Sequence, residues 1–289
     1  MVSEIAHAKL NLSLAVTGRR EDGFHELVSL VHAIALADEL DFEPGGPFRL
    51  ICDDKTLPTD ETNLVLRAAL AYQKQVPFCP TGTFHLRKRI PSGAGLGGGS
   101  SDAAAALRLL NRSIPQPLSE DNLRSIAATI GSDCPFFISE RAAIMRGRGE
   151  RLNEIPKVSA QTLQRRRVLV VKPAFAISTP EAYGLLAQSG RYAVSADVEK
   201  SLQSWLQKPN RDPSFLGNTL EAAVFRKYIA LPTALDKVSH RLGVTFRMTG
   251  SGSACFAFYP EGETSSEVES LFKELWGPRV WFCDTQLFG

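Results

Sequence analysis

Residues 8–16, AKLNLSLAV, alternate without a break: Ala8, Leu10, Leu12, Leu14 and Val16 fall on one side, Lys9, Asn11 and Ser13 on the other. A period of two marks a strand with one buried face. The polar face presents a lysine, an amide and a hydroxyl together. A turn-rich stretch with Gly18 and Gly23 follows. Residues 27–42 are apolar with β character, and Asp38-Glu39 is expected to break them into two strands. Residues 60–75 predict a helix capped by Thr62, and 83–90 a strand. Asp102 to Leu110 predicts an alanine-rich helix ended by Asn111 and the prolines at 115 and 117. A further helix runs from Ser119 to about Ile130, with Glu120 and Asp121 in its first turn. Residues 151–167 carry little pattern, and VLVVKP then reads as a strand. The C-terminal part predicts helices near 180–188, 197–207, 217–228 and 231–241. Strands at 244–248 and 254–259, a helix at 264–275 and a strand at 279–284 complete it. Interleaved strands and helices give an α+β class. A composition shift near 155–165 divides the chain into domains 1–160 and 161–289.

Charge narrows the choice of partners. The chain of 289 residues carries 33 Lys+Arg against 31 Asp+Glu, a net +2. That balance argues against a nucleic-acid partner held by general charge. No run approaches the ~18 apolar residues of a membrane-crossing helix, so no membrane partner is expected. The N-terminus lacks the basic and apolar regions of a secretory signal. Cys52, Cys79, Cys134, Cys255 and Cys283 are scattered, with no C-x-x-C pair, which fits reduced thiols and a cytoplasmic protein. No histidine spacing suggests a metal site, and metal ligands and oligomeric state are not legible.

One local feature departs from this ordinary background. Gly93, Gly95, Gly97, Gly98 and Gly99 crowd ahead of a predicted helix. Gly93-Ala94-Gly95-Leu96-Gly97-Gly98 matches the dinucleotide fingerprint, but that fold needs an acidic residue ~20 positions on at a strand end. Here Glu120 and Asp121 start a helix. The Walker A pattern fails as well, because Gly99-Ser100-Ser101 carries no lysine. What remains is a nest of unshielded N–H groups facing a helix N-terminus, a phosphate cradle without a lysine. The plainer alternative is a flexible turn between strand and helix.

The loop PSGAGLGGGSSDAA resembles the glycine-rich P-x-x-x-G-L-G-S/G-S-S motif of the GHMP kinases, which act on galactose, homoserine, mevalonate and related alcohols. AHAKLNLSL resembles their P-A-K-x-N-L strand, and TGSGSACFAF at 249–258 their second glycine-rich loop. The resemblance implies a two-domain fold: an N-terminal domain like ribosomal protein S5 domain 2 and a ferredoxin-like C-terminal domain. It also implies γ-phosphate transfer from ATP to an alcohol. GFHEL, TNLVLRAA, GSDCPFF and STPEAY are similar to segments of one branch of the family, in non-mevalonate isoprenoid precursor biosynthesis. Its acceptor is a cytidylylated diol diphosphate, so both expected partners are small molecules. A homoserine- or mevalonate-type kinase and a catalytically inactive nucleotide-binding relative remain as alternatives.

The resemblance implies roles residue by residue. Asp133 is expected as general base, with Lys9 beside it holding the carboxylate ionised. Pro91, Ser92, Gly93, Ala94, Gly95, Leu96, Gly97, Gly98, Gly99, Ser100 and Ser101 are expected to wrap the ATP phosphates, with Asn63 lining the adenine pocket. Asn11 is expected to hydrogen-bond substrate or phosphate. Phe24, His25 and Tyr183 would hold the cytosine, and Ser178 and Thr179 would touch the acceptor. Gly250, Ser251, Gly252 and Ser253 would support its diphosphate. Mg²⁺ is expected with ATP because phosphoryl transfer needs charge neutralised between β- and γ-oxygens, with Ser100 and Ser101 the nearest contacts. The chain departs from the family pattern at His7, where proline is common, at Phe24, where tyrosine is, and at Ser132 and Cys134 around Asp133. Arg146, Arg148 and Arg151 form an unassigned cluster.

Overall fold

A computed structural model describes residues 1–209, 213 and 217–289. By contacts the chain divides into two units. The first comprises Met1–Lys9, Leu36–Ser92 and Gly97–Arg141; the second comprises Leu10–Ala35, Gly93–Leu96 and Ala142–Gly289. Two long strands, β1 (Val2–Arg19) and β2 (His25–Pro44), contribute residues to both.

In the first unit β4 (Gly82–Arg87) pairs antiparallel with Glu39–Pro44 of β2 and parallel with β3 (Arg49–Cys52). Three helices accompany them: α1 (Leu64–Gln75), α2 (Gly98–Arg112) and α3 (Glu120–Ile130). Ala103, Ala104, Ala105 and Ala106 are wholly buried, so α2 lies inside this unit and its small side chains admit the neighbouring α1 at close range. Asn111 does not end α2. Its side chain instead fastens the following loop, accepting from Leu118 N at 2.7 Å and donating to Leu118 O at 3.1 Å.

Three expectations change here. Asp38-Glu39 does not break β2. The fully buried Asp38 carboxylate accepts from Arg89 N at 2.5 Å and Ile90 N at 2.8 Å, and from the Lys88 ammonium. A charge that normally ends a strand is satisfied by donors distant in sequence. The cap of α1 is Asn63 rather than Thr62, its Oδ1 accepting from Val65 N at 2.9 Å. Helix α2 begins four residues before Asp102, because packing rather than propensity holds its Gly-Gly-Ser-Ser first turn.

In the second unit β5 (Ala143–Gly147) pairs antiparallel with Leu27–Val31 of β2 and with β6 (Arg151–Glu154), and α4 (Lys157–Leu163) follows. The sequence pattern points to none of β5, β6 and α4. β7 (Arg167–Lys172) has Val168, Leu169, Val170 and Val171 wholly buried. It is an inner strand flanked by β9 (Cys255–Phe258) and β10 (Trp281–Gln286), with β8 (Arg247–Met248) outside β9. Every pairing in this four-stranded sheet is antiparallel. Helices α5 (Thr179–Ser189), α6 (Ser195–Gln207), α7 (Glu221–Lys227) and α8 (Ala230–Leu242) separate β7 from β8. Helix α9 (Ser266–Trp276) separates β9 from β10. The split β-α-β arrangement is that of a ferredoxin-like domain. Among the described residues, no helix is long and apolar enough to cross a membrane.

Candidate active site

In the first unit the polar face of β1 delivers Lys9 to Asp133. The ammonium lies 3.3 Å from Asp133 Oδ2, with the lysine almost entirely buried and the carboxylate over a third exposed. Asp133 immediately precedes a 3-10 helix, Cys134–Ile138, and its side chain makes no cap bond to it. Cys134, Phe136 and Phe137 are buried, so the segment is anchored on one side and leaves the carboxylate on the other. Burial pushes the Cys134 thiol up to about 12, which makes it an inert space-filler beside Asp133.

The second half of the glycine loop adjoins this pair. Gly97 caps α2 with φ 75°, and no side chain caps the helix. A Cβ on Gly97 would lie 3.1 Å from Lys9 Cγ, so the loop backbone rests on the lysine stem. Ser100 Oγ lies near Gly131 and the Cys134 thiol. Ser101 Oγ is buried with no hydrogen-bond partner. A Cβ on Gly99 would stand 3.5 Å from Leu64 Cδ1, so the starts of α1 and α2 are neighbours. Asn63 stands there with its side-chain oxygen engaged to Val65 and its amide nitrogen to Pro58 O at 2.8 Å. Helix N-termini side by side, a lysine and a carboxylate form an anion-binding corner next to a proton acceptor.

A buried charge cluster that no local pattern announces braces that corner. Lys88 bridges Asp38 and Asp102, the latter at 2.6 Å. Asp38 also holds the Arg89 and Ile90 amides just before the loop, while Asp102 sits in the first turn of α2 just after it. Desolvation raises the Asp102 carboxyl to about 7 against the opposing pull of Lys88. Burial works against the Lys88 ammonium, but the neighbouring Asp102 and Asp38 carboxylates outweigh it and raise the lysine's affinity for its proton. The Oδ1 atom of Asp102 has no hydrogen-bond partner. Only a register over some fifty residues would have brought these charges together from sequence.

In the second unit the first half of the loop meets the second glycine-rich loop. Ala254 N donates to Ala94 O at 3.1 Å, and a Cβ on Gly95 would lie 2.7 Å from Thr249 O. The Asn11 backbone N–H donates to Thr249 Oγ1 at 2.8 Å, and its side-chain amide donates to Ser29 Oγ at 2.7 Å. Asn218, not foreseen as a site residue, ties the loop down by donating to Met248 O and Gly250 O at 2.8 and 2.9 Å. Thr179 Oγ1 and Ser251 Oγ are 2.9 Å apart. Ser178 caps α5, accepting from Glu181 N at 3.4 Å.

The same unit assembles an aromatic cluster. The His25 ring lies 5.0 Å from that of Tyr183 and 6.1 Å from that of Tyr192, which sequence reading missed. His25 Nε2 is buried with no hydrogen-bond partner. Burial, with a lesser push from Arg19, lowers the His25 pKa, favouring a neutral ring with one donor and one acceptor nitrogen. Phe24 is 49% exposed, with the Arg148 guanidinium 4.7 Å from its ring centroid.

Comparison with known proteins decides the family. The GHMP kinases N terminal domain model matches residues 63–141, and the GHMP kinases C terminal model matches residues 197–276. The 4-diphosphocytidyl-2-C-methyl-D-erythritol kinase of Prochlorococcus marinus strain MIT 9303 is 39% identical over 279 residues, spanning 92% of this chain and 86% of its own length. The chain is a GHMP kinase. A crystal structure of 4-(cytidine 5'-diphospho)-2C-methyl-D-erythritol kinase aligns with it at TM-score 0.76 and 32% identity, covering 99% of each chain. A homoserine kinase from Cytophaga hutchinsonii shares the fold at TM-score 0.70 and 18% identity, over 99% of this chain and 94% of its own. The α+β, two-domain kinase expectation holds, and ATP as co-substrate goes with the family.

Proposed function

We propose that this GHMP kinase transfers the γ-phosphate of ATP to the 2-hydroxyl of 4-diphosphocytidyl-2-C-methyl-D-erythritol, a step of non-mevalonate isoprenoid precursor biosynthesis. Likeness over nearly the whole chain to relatives of that name carries the reading. We place the division between the family domains near residue 160, between the matched stretches. The protein works in the cytoplasm, on small molecules alone.

Asp133 takes the proton of the accepting hydroxyl. A tertiary alcohol is a weak nucleophile, and a carboxylate within reach of its proton assists attack as the new P–O bond forms and the bond from the γ-phosphorus to the β-phosphate oxygen breaks, releasing ADP. Lys9 orients Asp133 through their 3.3 Å contact and faces the charge of the transferring group. Pro91 to Ser101 cradle the phosphates through backbone N–H groups, and Asn63 borders the adenine. Ser101 Oγ, buried and unpartnered, is an oxygen that would hold Mg²⁺ brought in with ATP. The ion, when bound with ATP, neutralises charge between β- and γ-oxygens. His25 and Tyr183, with Phe24, hold the cytosine; the free His25 Nε2 addresses its edge. Asn11, Thr179 and Gly250 to Ser253 support the rest of the acceptor.

Turnover of the cytidylylated diol, mevalonate and homoserine by the purified protein tests the assignment. Only the first is expected to react appreciably; comparable rates on mevalonate would overturn it. Asp133→Asn is expected to keep both affinities while kcat falls about 10²- to 10⁴-fold. Near-normal turnover in that variant would remove Asp133 as the base.

A further inference from the structure

Arg146, Arg148 and Arg151 crowd one β-hairpin, yet the structure gives them different work. Arg146 forks onto Glu199 at 3.0 and 2.9 Å. Arg151 pairs with Glu26. Arg148, at the tip between β5 and β6, has no carboxylate within ion-pairing distance among the described residues, and its guanidinium lies over the Phe24 ring. Arg148 also helps to keep the Asp22 carboxylate ionised, and Asp22 in turn accepts from Arg20 and from Phe24 N at 3.1 Å.

The placement is built rather than incidental. The β5–β2 register sets Gly147 opposite Leu27, so the hairpin tip stands beside the start of β2. Gly147 and Gly149 both have positive φ, 73° and 117°, which turns the chain sharply around Arg148. Glu150 accepts from Arg148 N at 2.6 Å. Glu26, two residues after Phe24, accepts from Gly147 N at 3.2 Å, from Arg20 at 2.9 Å and from the Arg151 guanidinium. Both ends of the Arg148–Phe24 contact are thereby fixed to one another.

We infer that Arg148 is a positioning residue for pyrimidine recognition: stacked on one face of Phe24, it sets the plane of that ring and leaves the other face for the cytosine. The inference rests on the functional reading above. A half-exposed phenylalanine without such a neighbour swings freely, and a base that stacks on it must first immobilise it. The guanidinium does this beforehand, and it adds a cation–π attraction that strengthens when a bound base excludes water. The residue acts on acceptor affinity, not on the chemical step.

The test is Arg148→Met, with KM for the diol, KM for ATP, kcat and calorimetric binding of CMP measured side by side. KM for the diol and Kd for CMP are expected to rise about fivefold to thirtyfold, the range of a cation–π contact from exposed to desolvated. KM for ATP and kcat should stay within twofold. Phe24→Leu should produce a similar loss, and adding Arg148→Met to it should cost nothing further. Arg148→Lys keeps the charge without the planar face and should recover only part of the affinity. An unchanged KM for the diol in Arg148→Met, multiplying losses in the double variant, or full recovery by lysine each overturns the inference. Wild-type protein that neither binds CMP nor turns over the diol sinks the functional reading itself, and this inference with it. Wild-type behaviour as expected, with an indifferent Arg148→Met, sinks the inference alone.

Discussion

Alanine placed at single glycines of the phosphate loop separates what the fold needs from what a ligand needs. Gly97 has φ 75°, where an L side chain is disfavoured by about 1–2 kcal/mol. Its Cβ would stand 2.7 Å from Phe137 Cζ and 3.1 Å from Lys9 Cγ. Phe137 is wholly buried edge-on against Phe136 and has nowhere to go, so overpacking adds about 1–3 kcal/mol. Gly97→Ala should therefore lose about 2–5 kcal/mol. The part that can yield is the lysine stem, so kcat should fall along with stability as Lys9 leaves Asp133. Gly99 is different. No positive φ is required of it, it lies in the first turn of α2, and its Cβ would meet only Leu64 Cδ1 at 3.5 Å. Gly99→Ala should leave folding unchanged or raise stability by up to about 1 kcal/mol, while KM for ATP rises because the methyl group stands where phosphate approaches. Urea unfolding followed by circular dichroism, with steady-state kinetics, reads both quantities. Phe137→Leu should relieve part of the Gly97→Ala loss. Equal stability of the Gly97→Ala and wild-type proteins, or a Gly99→Ala protein as unstable as Gly97→Ala, would refute the reasoning.

Three further outcomes follow from buried charge. Lys88→Met strands Asp38 and Asp102 without their cation and should cost about 3–5 kcal/mol in urea unfolding; a loss under 1 kcal/mol would show that the cluster does not brace the loop. Because the folded protein raises Asp102 to about 7, it binds a proton there more tightly than the unfolded chain does, so this contribution to stability is present in acid and is lost as pH rises through 7. The stability of wild type relative to Asp102→Asn should accordingly fall between about pH 4 and pH 7 and then level off, and a rising difference would contradict the assignment. His25 is shifted the other way, its charged form disfavoured by burial. KM for the diol should be flat from neutral pH upward and worsen only in acid, where the imidazole loses its acceptor nitrogen; His25→Gln should raise KM and abolish that acid limb, and a KM that improves in acid would exclude a neutral ring.

The parts legible in the sequence are those set by local pattern. Alternation along 8–16 placed Lys9 and Asn11 on one face, and both are buried polar residues on β1. The acidic first turn and Ser119 located α3 within a residue. What stayed hidden depends on partners far along the chain. Asp38 looked like a strand breaker because its donors, Lys88, Arg89 and Ile90, lie fifty residues away. Glycine's poor helix propensity hid the first turn of α2, which tertiary packing imposes. Tyr192 carries no periodicity that would have tied it to His25. The arginines at 146, 148 and 151 looked alike, and only their counter-charges tell them apart.

The five clustered glycines likewise divide once their surroundings are known. Gly93, Gly95 and Gly97 have φ between 63° and 78°, so backbone conformation alone demands glycine at each. Gly98 is confined by packing, its Cβ falling 3.0 Å from Ile90 Cγ2. Gly99 is explained by neither: its conformation suits any residue, the protein leaves room for a methyl group, and a glycine there weakens the helix it begins. A side chain at this exposed position would instead shield the N–H groups at the start of α2, the feature that attracts an anion. The glycine that folding does not need is thus the one that most directly supports the proposed phosphate cradle over a plain turn.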